Sequence, residues 1–171
     1  MSEFSASYHL RTSDRQRAID LIRNSDHNGF VFPEMNGWVT FIIEGPAFEI
    51  CESVVSENPG LLVHYSYTQD HGWGLTIFDK DEIISAYSCD WTDALSIEKD
   101  ELDLYLLREL IIKQGNSAED LEAVFDLVGY RGEEPPAYYI AKKLGLPYFQ
   151  WLSADDIGDG SRYENVVIVN E

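Results

Sequence analysis

The sequence predicts an α+β fold: a mixed, largely antiparallel sheet with two flanking helices, followed by a helical C-terminal half and a final strand. Three observations lead there. Residues 1–91 are broken into short strand-like segments by turn signals such as Asn36-Gly37 and Asp70-His71-Gly72. Within them, the stretches around Ala18 and Val54 space their apolar residues as helices do. From residue 92 onward helical spacing takes over until the closing "VVIV". The 171 residues suit one domain, with a strand-rich part at 1–91 and a helical part with the terminal strand at 92–171. A chain of this size buries roughly 70% of its unfolded surface and needs no disulfide or metal staple.

The first forty residues read as strand, helix, strand, strand. Ala18, Leu21 and Ile22 recur at helical spacing, and Thr12 or Ser13 is placed to cap that helix. Asn28-Gly29 leads into "FVF", and Asn36-Gly37 is a strong hairpin signal before "WVTFII". This last run is bulky on both faces, as in a covered central strand. Next, Pro46 suits a first helical turn, and Phe48, Cys51, Val54 and Val55 form one apolar stripe that ends at Asn58-Pro59-Gly60. Cys51 is expected in the core.

"LLVHYSYTQ" alternates, with Leu61, Val63, Tyr65 and Tyr67 on one face and Leu62, His64, Ser66 and Thr68 on the other. "WGLTIF" and "IISAYSC" follow as two more strands. Asp70-His71-Gly72 therefore falls at the tip of a hairpin inside a meander.

In the C-terminal half, "SIEKDELDLYLLRELIIKQG" is expected as one long helix capped by Ser96 and ended by Gly115. A second helix carries Leu121, Val124, Phe125 and Val128 on one face, with Ser117 and Asp120 resembling a capping box. In a third, Ala137, Ile140, Ala141 and Leu144 point inward, Gly145 closes the end and Leu146 packs after it. "YENVVIVN" is expected to join the sheet edge. Residues 130–136, "YRGEEPP", read as the best linker.

Charge narrows the function. The formal net charge is −19. It is uneven: residues 1–25 hold four arginines against three carboxylates, while the remainder holds 8 basic and 28 acidic residues, a net −20. Nucleic acid demands clustered Lys and Arg, so it is excluded as a partner, and anionic membrane surfaces are disfavoured for the same reason. A basic protein would be attracted; plain solubility is the alternative use of such charge. No signal-peptide pattern and no 18-residue apolar run occurs, so the expected location is the cytoplasm, with Cys51 and Cys89 reduced.

Chemical motifs are scarce. "GWGLTI" begins a Gly-rich fingerprint, but Ile77 replaces the last glycine and a hairpin replaces the strand–turn–helix that cradles phosphate. "DKDEIISAYSCD" has Ile84 where a calcium loop needs glycine, and "DDIGDG" fails in register. Pairs such as Glu133-Glu134 and Asp155-Asp156 follow from composition alone. A Cys/His hydrolase would need Cys51 or Cys89 beside one of His9, His27, His64 and His71. Asp70 and His71 supply two potential metal ligands where three or four are needed. No catalytic residue, metal site or cofactor is assigned.

Binding is the better-supported expectation. Tyr8, Tyr65, Tyr67, Trp73, Tyr87 and Trp91 cluster around the predicted sheet, and Tyr and Trp among carboxylates make good protein anchors. Tyr65, Tyr67, Asp70, His71, Trp73 and Trp91 form the candidate binding face, although for the aromatics ordinary packing against the helices ranks slightly ahead. The rival reading is a small enzyme or ligand-binding domain using His64, His71 and Asp70 beside Tyr65 and Trp73. A structural or assembly role without a separate ligand is the third.

"AYYIAKKLGLPYFQWLSADDI", "GFVFPEMNGWVTFI" and "DHGWG" resemble patterns in a loose group of small acidic uncharacterised bacterial proteins. Together they cover about a quarter of the chain. Some proteins of this type are immunity proteins that neutralise a co-encoded toxin. The resemblance implies an immunity-type binding protein and transfers no site residue; that its partner is basic is what the charge suggests.

Overall fold

The computed structural model describes residues 2–45, 49–127, 130–153, 157 and 163–170. The elements run β1 (Phe4–Arg11), α1 (Arg15–Asn24), β2 (Gly29–Val31), β3 (Trp38–Ile43), α2 (Glu52–Glu57), β4 (Leu61–Thr68), β5 (Gly72–Asp79), β6 (Glu82–Asp90), β7 (Ser96–Glu98), α3 (Leu104–Lys113), α4 (Leu121–Asp126), α5 (Pro136–Leu144) and β8 (Val167–Val169). Among the described residues the strands form one eight-stranded sheet in the order β7-β6-β5-β4-β1-β3-β2-β8. Every pairing in it is antiparallel, so the expected mixed sheet is corrected to an antiparallel one. No element of the meander β4–β7 needs a crossover, and the hairpins supply the antiparallel sense directly.

Local chemistry accounts for the element ends. Asn36 and Gly37 both take positive φ, 59° and 83°, and close the β2–β3 connection through paired Met35–Trp38 backbone bonds, as the Asn-Gly signal predicts. The cap of α1 is Asp14 rather than Thr12 or Ser13: its carboxylate accepts the Gln16 N–H at 2.9 Å, while Thr12 is used to accept the Asp14 N–H. At the end of α5, Gly145 sits at φ 80°, its N–H reaches Lys142 C=O and the Leu146 N–H reaches Ala141 C=O. That double bond pattern is a Schellman close, with Leu146 buried behind it.

The C-terminal half departs from the expected run of long helices. Ser96–Glu98 is the edge strand β7, paired with Ser88–Asp90, and α3 starts only after Asp103, whose carboxylate accepts the Leu106 N–H at 3.0 Å. Ile97 packs against the main core cluster from that edge, which outweighs the helical propensity of the charged residues after it. Asp120 lies in the left-handed region and makes no side-chain cap, so the expected capping box is not formed. Residues 145–153 are irregular, and β8 joins β2 at the far sheet edge as expected. Pro46, Phe48, Val128, Asp155 and Asp156 lie outside the described residues.

Two layers cover the sheet. On one face α3, α4 and α5 pack over Trp38, Val63, Tyr65, Tyr67, Trp73, Leu75, Ile77, Tyr87 and Cys89. On the other, α1 and Val54 of α2 cover Tyr8, Leu10, Val39, Phe41, Leu62 and Phe78. Phe30, Phe32 and Ile42 are closed over by Leu152 and Ile157. Cys51 caps the start of α2 and is partly exposed, which corrects the expectation of a core cysteine; both thiols are free.

Candidate functional site

The pairing registers sort the second sheet face into rows that run across the strands. One row is Leu10, Leu62 and Phe78, large and covered by α1. Toward the hairpin tip the residues shrink. Tyr8, His64, Thr76 and Ala86 form the next row, then Ala6, Ser66, Gly74, Ser88 and Glu98, then Phe4, Thr68, Gly72, Asp90 and Ser96. Among the described residues no helix covers the last two rows, and Ser88, Asp90, Ser96 and Glu98 are exposed. The result is an open groove over β4–β7.

The groove has two adjoining parts. One, of about 670 Å³, lies over Ser66, Thr68, Gly74 and Ser88 and reaches His71 and Asp90. The other, of about 370 Å³, lies over Thr76 and Ala86 and is bounded by Glu98, Asp100 and Glu101. Glu98 and Ser88 line both. Among the described residues, Asp90, Glu98, Asp100 and Glu101 border the groove and no Lys or Arg lines it. Asp90 is held below the usual carboxylate range by the Thr92 N–H, which it accepts at 2.8 Å, and by the Thr92 hydroxyl. The floor is small and polar, and the groove offers shape and negative potential.

The sequence-predicted residues fall in different places. Tyr65, Tyr67 and Trp73 are 0%, 6% and 4% exposed and belong to the core under α3–α5. Their rings meet Phe149, Tyr138 and Phe125 respectively. The face they were expected to present is thus the covered one, and packing against the helices is what these side chains do. Burial raises the pKa of both tyrosine hydroxyls, and the Tyr65 hydroxyl and Trp73 Nε1 have no hydrogen-bond partner among the described residues. Asp70 and His71 do form the turn between β4 and β5, where the His71 N–H bonds Thr68 C=O at 3.0 Å. His71 Nδ1 contacts Thr92 Oγ1 at 2.9 Å, and Asp70 accepts the Ser2 hydroxyl. Trp91 is pinned to the same tip, its indole N–H donating to Gln69 C=O at 3.1 Å.

His64 is not brought to this tip. It is buried two rows away, with its ring 4.8 Å from that of Tyr8. The His64–His71–Asp70 constellation of the rival reading is therefore not assembled. Among the described residues no group of three or more His, Cys, Asp or Glu gathers to hold a metal, and no helix is long and apolar enough to cross a membrane.

A buried polar ladder was missed entirely. Ser7 Oγ lies 2.8 Å from His9 Nε2, and His9 Nδ1 lies 2.8 Å from Thr40 Oγ1. Burial, then the neighbouring His64, pushes the His9 pKa down to about 3. The pairing is a serine–imidazole contact, with His9 wholly enclosed and its ring nitrogens both hydrogen-bonded. Beside it the buried Glu3 carboxyl accepts from the Ser5 hydroxyl at 2.6 Å, from the Trp151 N–H at 2.8 Å and from the Tyr138 hydroxyl.

The groove residues were visible in one respect: Ser66 and Thr68, Gly72, Gly74 and Thr76, and Ala86 and Ser88 occupy the alternate positions of three successive strands. Small polar residues on the outer set of every strand are the signal of an uncovered face. No protein-family model, curated protein or solved structure matches the chain.

Proposed function

We propose that this chain is a non-enzymatic cytoplasmic binding protein whose acidic sheet groove receives a basic segment of a partner protein. One observation carries the reading: a sheet face lined by Ser66, Gly74, Thr76 and Ser88 is bordered by Asp90, Glu98, Asp100 and Glu101, with no Lys or Arg among the described residues that line it. Complementary charge steers encounter and excludes acidic competitors. Glycine and serine let a partner's backbone or lysine stems approach the sheet closely. The resemblance to a loose group of small acidic bacterial proteins, some of which are of the immunity type, suggests the partner class, and the charge makes it basic: a toxin that this chain would neutralise by occupying its cationic surface.

The test is a capture from source-cell extract at low and moderate salt with three proteins: wild type, Asp90→Lys/Glu98→Lys, and a charge-matched control, Asp81→Lys/Glu82→Lys, at the opposite hairpin tip. The reading expects a basic protein retained by wild type and control and lost by the groove variant. Retention should weaken with salt as the Debye length shortens to about 8 Å at physiological ionic strength. An acidic partner, or a basic one indifferent to the groove charges, overturns it.

A further inference from the structure

The sequence asked for a cysteine beside a histidine, and on the α1–α2 side of the sheet the fold supplies one. Cys51 Sγ lies 3.6 Å from His27 Nε2 and 3.2 Å from Ser53 Oγ. On its other side His27 Nδ1 lies 2.7 Å from Ser25 C=O. A carbonyl only accepts, so Nδ1 carries the proton of the neutral ring and Nε2 is left as an acceptor facing the thiol. Ser53 Oγ donates to the same carbonyl at 3.3 Å. Nucleophile, base and orienting group are thus in line, the arrangement that activates a thiol. Cys51, His27 and Ser53 are all partly exposed.

We infer that Cys51 is a reactive thiol that undergoes exchange with a low-molecular-weight disulfide, with His27 as its base. His27 Nε2 takes the Sγ proton. The thiolate attacks one sulfur of the incoming disulfide, a new S–S bond forms to Cys51, and the original S–S bond breaks. The departing thiolate takes the proton from His27. Cys51 sulfur is oxidised, the departing sulfur is reduced, and the disulfide is the only oxidant required.

Two features favour exchange over acyl transfer. An acyl-transfer nucleophile commonly lends its own N–H to the oxyanion. Here the Cys51 N–H is already bound to the Tyr8 hydroxyl at 2.9 Å. Exchange asks only for access to one sulfur. The product also has no internal way out. Cys89, the second cysteine, is buried beneath α3–α5 on the opposite sheet face, so it cannot displace the adduct. The mixed disulfide is the end state until an external thiol reverses it.

The experiment treats the intact protein with glutathione disulfide and follows adduct formation by peptide mass spectrometry against pH. Expected are a single adduct at Cys51, none at Cys89, and a rate about tenfold or more above that of the same cysteine in the urea-unfolded chain, as general-base help provides. His27→Gln should lose that advantage and alter the pH–rate profile, with its thermal midpoint measured alongside. The comparison with the unfolded chain needs no variant, so a misfolded His27→Gln does not rescue the idea. Native Cys51 reacting no faster than unfolded Cys51, or a folded His27→Gln reacting like wild type, overturns the assignment.

Discussion

Gly72 opens β5 at the floor of the groove, and its replacement by alanine tests the sheet there directly. A Cβ at this position would lie 2.0 Å from the Cys89 carbonyl oxygen and 3.0 Å from Asp90 Cα. Carbon and carbonyl oxygen normally approach to about 3.3 Å, so the overlap exceeds an ångström and both sides of it are backbone. Relief requires β5 to move off β6 at the Gly72–Asp90 pair, beside the 2.7 Å bond from the Trp91 N–H to His71 C=O. Strain of about 1–3 kcal/mol from overpacking joins about 1 kcal/mol for a ladder bond lost. The total is about 3 kcal/mol, or a fall of roughly 6–12 °C in Tm for a chain of this length. Thermal unfolding followed by tryptophan fluorescence suits the question, because Trp73 and Trp91 flank the site. Gly60→Ala is the control: its Cβ meets nothing within 4 Å, and its Tm should hold or rise slightly. A Gly72→Ala protein within about 1 kcal/mol of wild type refutes the close approach of β5 to β6.

Two further outcomes follow from the buried polar ladder. His9 has a native pKa of about 3, below the unfolded value of 6.5, so as pH falls the unfolded chain takes up the proton first. Its contribution to stability is complete above pH 6.5 and is lost progressively toward pH 3, costing about 2 kcal/mol by pH 5. Urea unfolding at both pH values should show this slope, flattened in His9→Gln, and a native His9 ring titrating near pH 6.5 by NMR would contradict it. Glu3→Ala leaves the Ser5 hydroxyl, the Tyr138 hydroxyl and the Trp151 N–H without their acceptor. It should cost about 3 kcal/mol in urea unfolding and speed amide exchange at Trp151 and Leu152, whereas a loss under about 1 kcal/mol would show that the ladder is not what holds this segment.

Local signals in the chain were legible wherever backbone chemistry decides. Asn36-Gly37 forces positive φ and makes its hairpin; Gly145 closes α5; the alternation of β4 puts Tyr65 and Tyr67 opposite Ser66 and Thr68. What failed depends on distant contacts. Ser96-Ile97-Glu98 reads equally as a helix start, and only the vacant edge of β6 turns it into a strand. Cys51 fits the helical stripe of Val54 and Val55, yet it stands at the helix start, where its side chain points to His27 across the chain. The aromatic face illustrates the same limit. Alternation sorts residues into two sets and is silent on which set the helices will cover.

That choice follows from volume. Helices stabilise a sheet by burying apolar area, and Tyr65, Tyr67, Trp73 and Tyr87 offer far more of it than Ser66, Gly74 and Ser88 do. The helical half therefore settles on the aromatic set, and α1 on the Leu10–Leu62–Phe78 row. The small polar rows are left open because no helix gains enough there to offset its ordering. An open sheet face ordinarily invites stacking with a second copy. Here Asp90, Glu98, Asp100 and Glu101 would meet their own equivalents or further acidic surface, and like charges brought together oppose that contact. The short edge strands β7 and β8, three residues each, also give another sheet little to pair with. A face too small and polar for its own helices, and too acidic for its own copies, is the one on which the proposed cationic segment of another protein would sit.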